Sequence, residues 1–77
     1  MNFQYITADK DILGGKPIIK NTRLSVEFIL DLVASGGSID EIVMQYPQLN
    51  HDAVVEAIQY AGKVVSNEII INLRNVA

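Results

Sequence analysis

The sequence has no cysteine and no tryptophan, and it contains a single histidine, His51. Without cysteine no disulfide can form, and one histidine cannot supply the four Cys or His ligands that structural zinc sites take. No stretch approaches the roughly 20 apolar residues that cross a bilayer. The N-terminus has no basic region followed by an apolar run, as a secretion signal would have. We therefore expect a cytoplasmic protein with no metal and no cofactor.

The chain is short and rich in apolar residues. It has 77 residues, of which 49% are hydrophobic. A domain of this size buries only about 60% of the surface that its unfolded chain exposes. Since disulfides and metals are excluded as supports, oligomerisation is the remaining one. We expect a homodimer that covers part of the apolar surface.

Charge is unevenly distributed along the chain. The net charge of −3 argues against nucleic acid as the main partner. The first 23 residues hold four basic and two acidic side chains, whereas the remaining 54 hold two basic and seven acidic ones. The sequence thus has a basic N-terminal segment and an acidic remainder, although ordinary solvated surface would also explain this distribution.

One domain with three consecutive parts is expected. Residues 1–25 form an extended β arm with strand candidates at 5–7, 17–20 and 24–26. Gly14-Gly15-Lys16-Pro17 indicates a turn between the first two, because glycine accepts positive φ and proline fixes its own. Asn21-Thr22 indicates a second turn.

Residues 26–65 are predicted to form a three-helix core. Apolar residues recur at i, i+3, i+4 and i+7 over 26–33, 39–46 and 54–61. Ser25 caps the first helix, Ser38 with Glu41 fits a capping box for the second, and Asn50 caps the third.

The remaining residues, 66–77, allow two interpretations. The run 69–71 is dense in β-branched isoleucine, which suits a strand, but it also continues the third helix. In either case these apolar residues are candidate contacts with a partner protein or a second copy: Ile69, Ile70, Ile71 and Leu73.

The second and third helices, separated by a break at 47–49, have the lengths of a helix–turn–helix. In DNA-binding versions the later helix enters the major groove and reads base edges with its early residues. Candidate DNA contacts are Lys16, Lys20, Arg23, Asn50, His51 and Gln59. Val55 and Glu56 are also expected to be exposed early on that helix. A purely structural interpretation stands beside this one: the helices simply bury their apolar stripes, and Arg23 holds carbonyl groups or a carboxylate of the arm.

Two blocks of the sequence resemble a known family. Residues 11–26, DILGGKPIIKNTRLSV, and residues 36–49, GGSIDEIVMQYPQL, together are similar to the domain-of-unknown-function 433 family of small prokaryotic antitoxin-like proteins. Asn21 stands where the family usually has glycine. The residues that match the family's turn motif are Gly14, Gly15, Pro17, Thr22 and Arg23.

The resemblance implies a mainly α, homeodomain-like three-helix fold preceded by short strands. It also implies the antitoxin of a toxin–antitoxin pair, whose partner is a PIN-related nuclease toxin. The alternative is a helix–turn–helix DNA-binding regulator that acts on its own operon. An enzyme is not expected, because the sequence offers no nucleophile, base and orienting group in a recognisable pattern.

Overall fold

A computed structural model describes the backbone of residues 3–76 and the side chains of residues 3–66. The predicted mainly α fold with preceding short strands is confirmed. Its elements are β1 (Ile6–Ala8), a 3₁₀ turn (Leu13–Gly15), β2 (Pro17–Ile19), α1 (Val26–Ala34), α2 (Ile39–Gln45) and α3 (His51–Val76).

The N-terminal arm is a two-stranded antiparallel sheet. β1 and β2 pair with Ile6 opposite Ile19 and Thr7 opposite Ile18. The prediction of a third strand at 24–26 is wrong, because this segment makes only an isolated bridge between Ser25 and Ile18 and one hydrogen bond of 3.0 Å from the Ile19 N–H to the Leu24 carbonyl. Ser25 is also the N-cap of α1, and its Oγ accepts a hydrogen bond of 2.9 Å from the Phe28 N–H. The helix therefore begins at the next residue and leaves no length for a strand.

Both predicted turns of the arm use left-handed backbone. Leu13, Gly14 and Gly15 have φ values of 50°, 67° and 85°. Asn21 has φ of 65°, which confirms that asparagine takes the position where glycine is expected. The neighbouring Thr22 Oγ1 donates to the Ile19 carbonyl at 2.8 Å and accepts from the Leu24 N–H at 3.0 Å. Local hydrogen bonds thus fix the path from β2 into α1.

The predicted helix caps are confirmed. Ser38 Oγ accepts from the Glu41 N–H at 3.1 Å, and Glu41 Oε1 accepts from the Ser38 N–H at 3.1 Å. Asn50 Oδ1 accepts from the Ala53 N–H at 2.8 Å. Each cap satisfies backbone donors that a helix start leaves without an intrahelical partner.

The core lies where the three helical stripes meet. Ile29 of α1, Ile42 of α2 and Val54 of α3 are almost completely buried. β2 adds Ile19 to this cluster, and Leu49 closes it from the α2–α3 connection. Both α1 and α2 therefore pack on the first half of α3, with the sheet against one side.

The third helix is longer than the predicted core segment. α3 runs to Val76, so the ambiguous residues 66–76 continue the helix and do not form a strand. The side chains of Ile69, Ile70, Ile71 and Leu73 lie outside the described part of the chain, and their role as contacts stays a prediction. Among the residues that the structure describes, no helix has the length and apolar character needed to cross a membrane.

Candidate functional site

A polar cleft lies on the arm, between the end of β1 and the turn after β2. It has a volume of about 740 Å³ and is open to solvent. Successive residues of a strand face opposite sides of the sheet. Ile19 packs into the helical core, so its neighbour Ile18 faces the cleft and contributes to its lining. The residues that line it are Thr7, Ala8, Asp9, Lys10, Ile12, Ile18, Asn21, Thr22 and Arg23.

Two cations line this polar cleft. Within residues 3–66, neither Lys10 nor Arg23 has a carboxylate within ion-pair distance. Asp9 also lines the cleft, but its Oδ1 accepts a hydrogen bond of 2.9 Å from the Asp11 N–H. Among the described side chains, Arg23 donates no hydrogen bond to a carbonyl group of the arm, as the structural alternative would require. The cleft can therefore offer cationic groups to an anion.

A separate apolar groove lies between α1 and the middle of α3. Its volume is about 370 Å³. Val64 and Val65 on its α3 wall are 38% and 50% exposed. The residues that line it are Lys16, Pro17, Val26, Glu27, Leu30, Tyr60, Ala61, Val64 and Val65.

The rim of the apolar groove carries one ion pair. Lys16 Nζ lies 2.9 Å from Glu27 Oε1. The hydrogen bond that Lys16 donates to the Glu27 carboxylate, and then the negative charge of Glu27, raise the pKa of Lys16 above its ordinary value. Both side chains are mostly exposed, so the pair adds little stability, but it leaves the rim electrically neutral.

The structure does not gather the six candidate DNA contacts on one surface. In the arm, Lys16 is on the rim of the apolar groove and Arg23 is in the polar cleft, while Lys20 lines a third depression beside Phe3 and Tyr60. On α3, the Asn50 side chain caps the helix, His51 Nδ1 lies 3.9 Å from Asp52 Oδ1, and Gln59 lines a shallow depression near Lys63. Their roles in DNA binding stay predictions.

Glu56 has a structural role that the sequence analysis missed. Its two carboxylate oxygens accept hydrogen bonds from the backbone N–H groups of Gln4, at 2.9 Å, and Tyr5. The side chain is half-buried, as is Val55, so neither is the freely exposed position expected. The available signal was spacing, because Glu56 follows the buried Ala53 by three residues and so lies beside it on the helix.

The outer face of α2 combines negative charge with an exposed apolar side chain. Asp40, Glu41 and Met44 lie at i, i+1 and i+4, which places Met44 beside both carboxylates on the helix. Met44 is 81% exposed. The Ser38 backbone N–H, and then its hydroxyl, lower the pKa of Glu41. We call Asp40, Glu41 and Met44 the α2 outer face.

The stretch of sequence that contains the α2 outer face carries only negative side chains. Residues 24–50 contain four carboxylates and no lysine, arginine or histidine. All four carboxylates, Glu27, Asp31, Asp40 and Glu41, belong to exposed residues. Across the described residues, no group of three or more His, Asp or Glu side chains is placed to hold a metal ion.

The sequence model of a family described as "Protein of unknown function (DUF433)" matches residues 6–61. The chain belongs to the DUF433 family. That match covers the whole turn motif, from Gly14 to Arg23, and most of the three-helix core. It ends before Val64 and Val65, so part of the apolar groove of this DUF433 chain lies beyond the matched segment.

Two similar proteins extend this finding. The uncharacterized protein y4eO of Sinorhizobium fredii is 33% identical over 58 residues, which are 75% of the DUF433 chain and 26% of the relative. A crystal structure of a DUF433 member from Anabaena variabilis superposes with a TM-score of 0.76 at 24% identity, covering 82% of this chain and 62% of that one. The second likeness shows the fold, and both comparison proteins are longer than the part that matches.

Proposed function

We propose that this DUF433 chain is a non-enzymatic, cytoplasmic, antitoxin-like protein that binds and neutralises a protein toxin. The observation that carries the proposal is the α2 outer face, where Met44 is exposed one helical turn after Asp40 and Glu41. The partner class, a PIN-related nuclease, comes from the family resemblance. The chain supplies the binding surface, and no step of chemistry is assigned to it.

The charge of this surface suits such a partner. A nuclease binds a polyanion, so the approach to its site is commonly basic. Carboxylates placed on that approach take the position of phosphates and speed association. The absence of any basic residue over 24–50 removes the repulsion that a cationic partner would otherwise meet.

Met44 gives the same surface an apolar contact. Methionine is unbranched and polarisable, so it adapts to an irregular partner surface. A side chain that is 81% exposed contributes little to folding, and its burial in a complex would remove apolar area from water. Charge would then steer the encounter, and Met44 would lengthen the lifetime of the complex.

The test is capture of the partner from native cells, followed by a nuclease assay of the captured protein with and without the DUF433 chain. We expect inhibition by the wild type and loss of inhibition by Met44→Arg. This variant removes the apolar contact and adds a positive charge, which a basic toxin surface would repel. Gln59→Arg places the same residue on exposed α3 and is the matched control. Self-association alone in the capture, or equal inhibition by both variants, would refute the proposal.

DNA binding is the second candidate function, and the polar cleft is the observation that favours it. Lys10 and Arg23 line the cleft together, whereas the early residues of α3 bring His51 next to Asp52 and use Asn50 as a cap. If the chain regulates its own operon, Arg23→Ala should weaken promoter binding and reduce its salt dependence. No retardation of that promoter at about 50 mM salt, where phosphate contacts are strong, would eliminate this candidate.

A further inference from the structure

We infer that the apolar groove between α1 and α3 is the surface on which a second copy of this chain docks. The inference does not rest on the proposed function, because the groove and the α2 outer face share no residue. The wall of the groove is formed by Val26 and Leu30 on one side and by Ala61, Val64 and Val65 on the other.

The lining of the groove is almost free of charge. It contains only two charged residues, Lys16 and Glu27, and these neutralise each other at 2.9 Å. The whole chain carries a net charge of −3, so two copies repel each other over most orientations. They meet without that repulsion where each presents a neutral, apolar surface.

The charges at the rim also favour a second copy over another partner. In a two-fold symmetric interface both copies use the same surface, so if one residue of the first copy contacts another residue of the second, the reverse contact also forms. A rim with one cation and one anion is complementary to itself, since Lys16 of each copy can face Glu27 of the other. A nucleic acid would need a net positive surface, and a basic protein would gain nothing from a neutral one.

The α3 wall is shaped for close approach of a second helix. Ala61 is small. Val64 and Val65, one turn later, are the large apolar side chains of α3 that are exposed within the described residues. α3 continues beyond them to Val76, so its backbone offers further turns along which another α3 can lie. Gly62 and Ser66 are on the neighbouring side, where they line a separate depression.

The first experiment measures self-association of the full chain by sedimentation equilibrium over a range of concentration. We expect wild type to form a dimer and Val65→Glu to raise its dissociation constant by about tenfold or more, because a carboxylate would enter the apolar contact. Val65 is half-exposed and glutamate favours helix, so the variant should keep its helical circular dichroism. Ser66→Glu puts the same charge on the adjacent residue, outside the groove, and should leave the dimer intact.

The second experiment uses the rim. Lys16→Glu gives each copy two carboxylates there, and Glu27→Lys gives each copy two ammonium groups, so each variant alone should dissociate more readily than wild type. Mixing the two should restore association as a heterodimer, since opposite rims then meet. A chain that stays monomeric up to about 1 mM, equal effects of Val65→Glu and Ser66→Glu, or no recovery on mixing would each overturn the inference.

The two proposals fail in different ways. Loss of dimer in Val65→Glu with toxin inhibition retained would support this inference and leave the α2 outer face untouched. Loss of inhibition in Met44→Arg with the dimer intact would support the proposed function alone. A groove that captures a different protein while the wild-type chain remains monomeric would overturn the inference without affecting the α2 outer face.

Discussion

The N-terminal arm and the helical body of this protein are held in place by different physical means. In the arm, Thr22 and Glu56 fix the backbone through hydrogen bonds to main-chain groups. In the body, side chains such as Ile29 and Val54 are completely buried against one another. The shape of the arm therefore depends on a few polar contacts in addition to the burial of Ile18 and Ile19, whereas the shape of the body depends mainly on burial.

Charge follows the same division. The arm holds Lys10, Lys16, Lys20 and Arg23. The α1–α2 part of the body holds only carboxylates. Hydrogen-bonded turns can carry exposed cations without disturbing a core. Helices favour acidic residues in their first turns, because the N-terminal end of the helix dipole is positive. Surfaces of opposite charge can therefore be carried by one small chain when each region has its own means of support.

The largest expected effect tests the burial of the body. Ile29→Ala should lower the free energy of unfolding by about 3 kcal/mol, because it leaves a cavity among all three helices. Ile18→Ala should cost less, about 2 kcal/mol, since Ile18 is buried outside the main cluster and lines the polar cleft. Urea unfolding followed by circular dichroism measures both.

If Ile29→Ala does not fold, a milder variant at the same position still measures the contribution of Ile29. Ile29→Val should cost about 1 kcal/mol. If the Ile18 variant proved as damaging as the Ile29 variant, the arm would be an equal part of the core and the distinction between the two regions would be lost.

The next effect tests how the arm is attached. Glu56→Ala removes both hydrogen bonds to the backbone of Gln4 and Tyr5 and should cost about 1–2 kcal/mol, below the full value for charged hydrogen bonds because the site is half-exposed. Hydrogen exchange should accelerate at the Gln4 and Tyr5 amides while the amides of α3 keep their protection. Asp52→Ala is the control on the same helix, since Asp52 is exposed. Uniform acceleration throughout the protein would contradict local attachment by Glu56.

A smaller effect tests the turn after β2. Asn21 has φ of 65°, where a side chain with Cβ is strained unless it is asparagine or aspartate. Asn21→Ala should therefore cost about 1 kcal/mol, and Asn21→Gly should stay within about 0.5 kcal/mol of wild type. The thermal midpoint of both variants checks this. An alanine variant as stable as the glycine variant would show that the turn is set by Thr22 and not by residue 21.

Sequence reasoning predicted the body better than the arm, for the same physical reason. The period of apolar residues and the caps at Ser25, Ser38 and Asn50 located all three helix starts, because both signals are local in sequence. The two strands of the arm were also predicted, with the turn residues between them, although their antiparallel register was not. The attempted third strand failed because Ser25 was needed as a cap.

Contacts between distant residues were beyond prediction. Nothing in the spacing of Glu56 identifies Gln4 and Tyr5, which are 52 and 51 residues away, as its partners. The separation of Lys16, Lys20 and Arg23 onto different surfaces also depends on how the turns orient each side chain. The α2 outer face could have been found, since the capping box had already placed Asp40 and Glu41 on the helix and Met44 follows at i+4 and i+3.

The smallest effect concerns the capping box of α2. The Ser38 N–H and hydroxyl lower the pKa of Glu41 below its ordinary value of 4.5, so its ionised form is favoured by folding. That stabilisation is present above the unfolded pKa and is lost as pH falls through the folded pKa. Glu41→Gln should therefore lower the thermal midpoint slightly at neutral pH and make progressively less difference below about pH 4.5. Asp31→Asn removes an exposed carboxylate without a described side-chain hydrogen bond, and a matching pH response there would mean that Glu41 acts only through general charge.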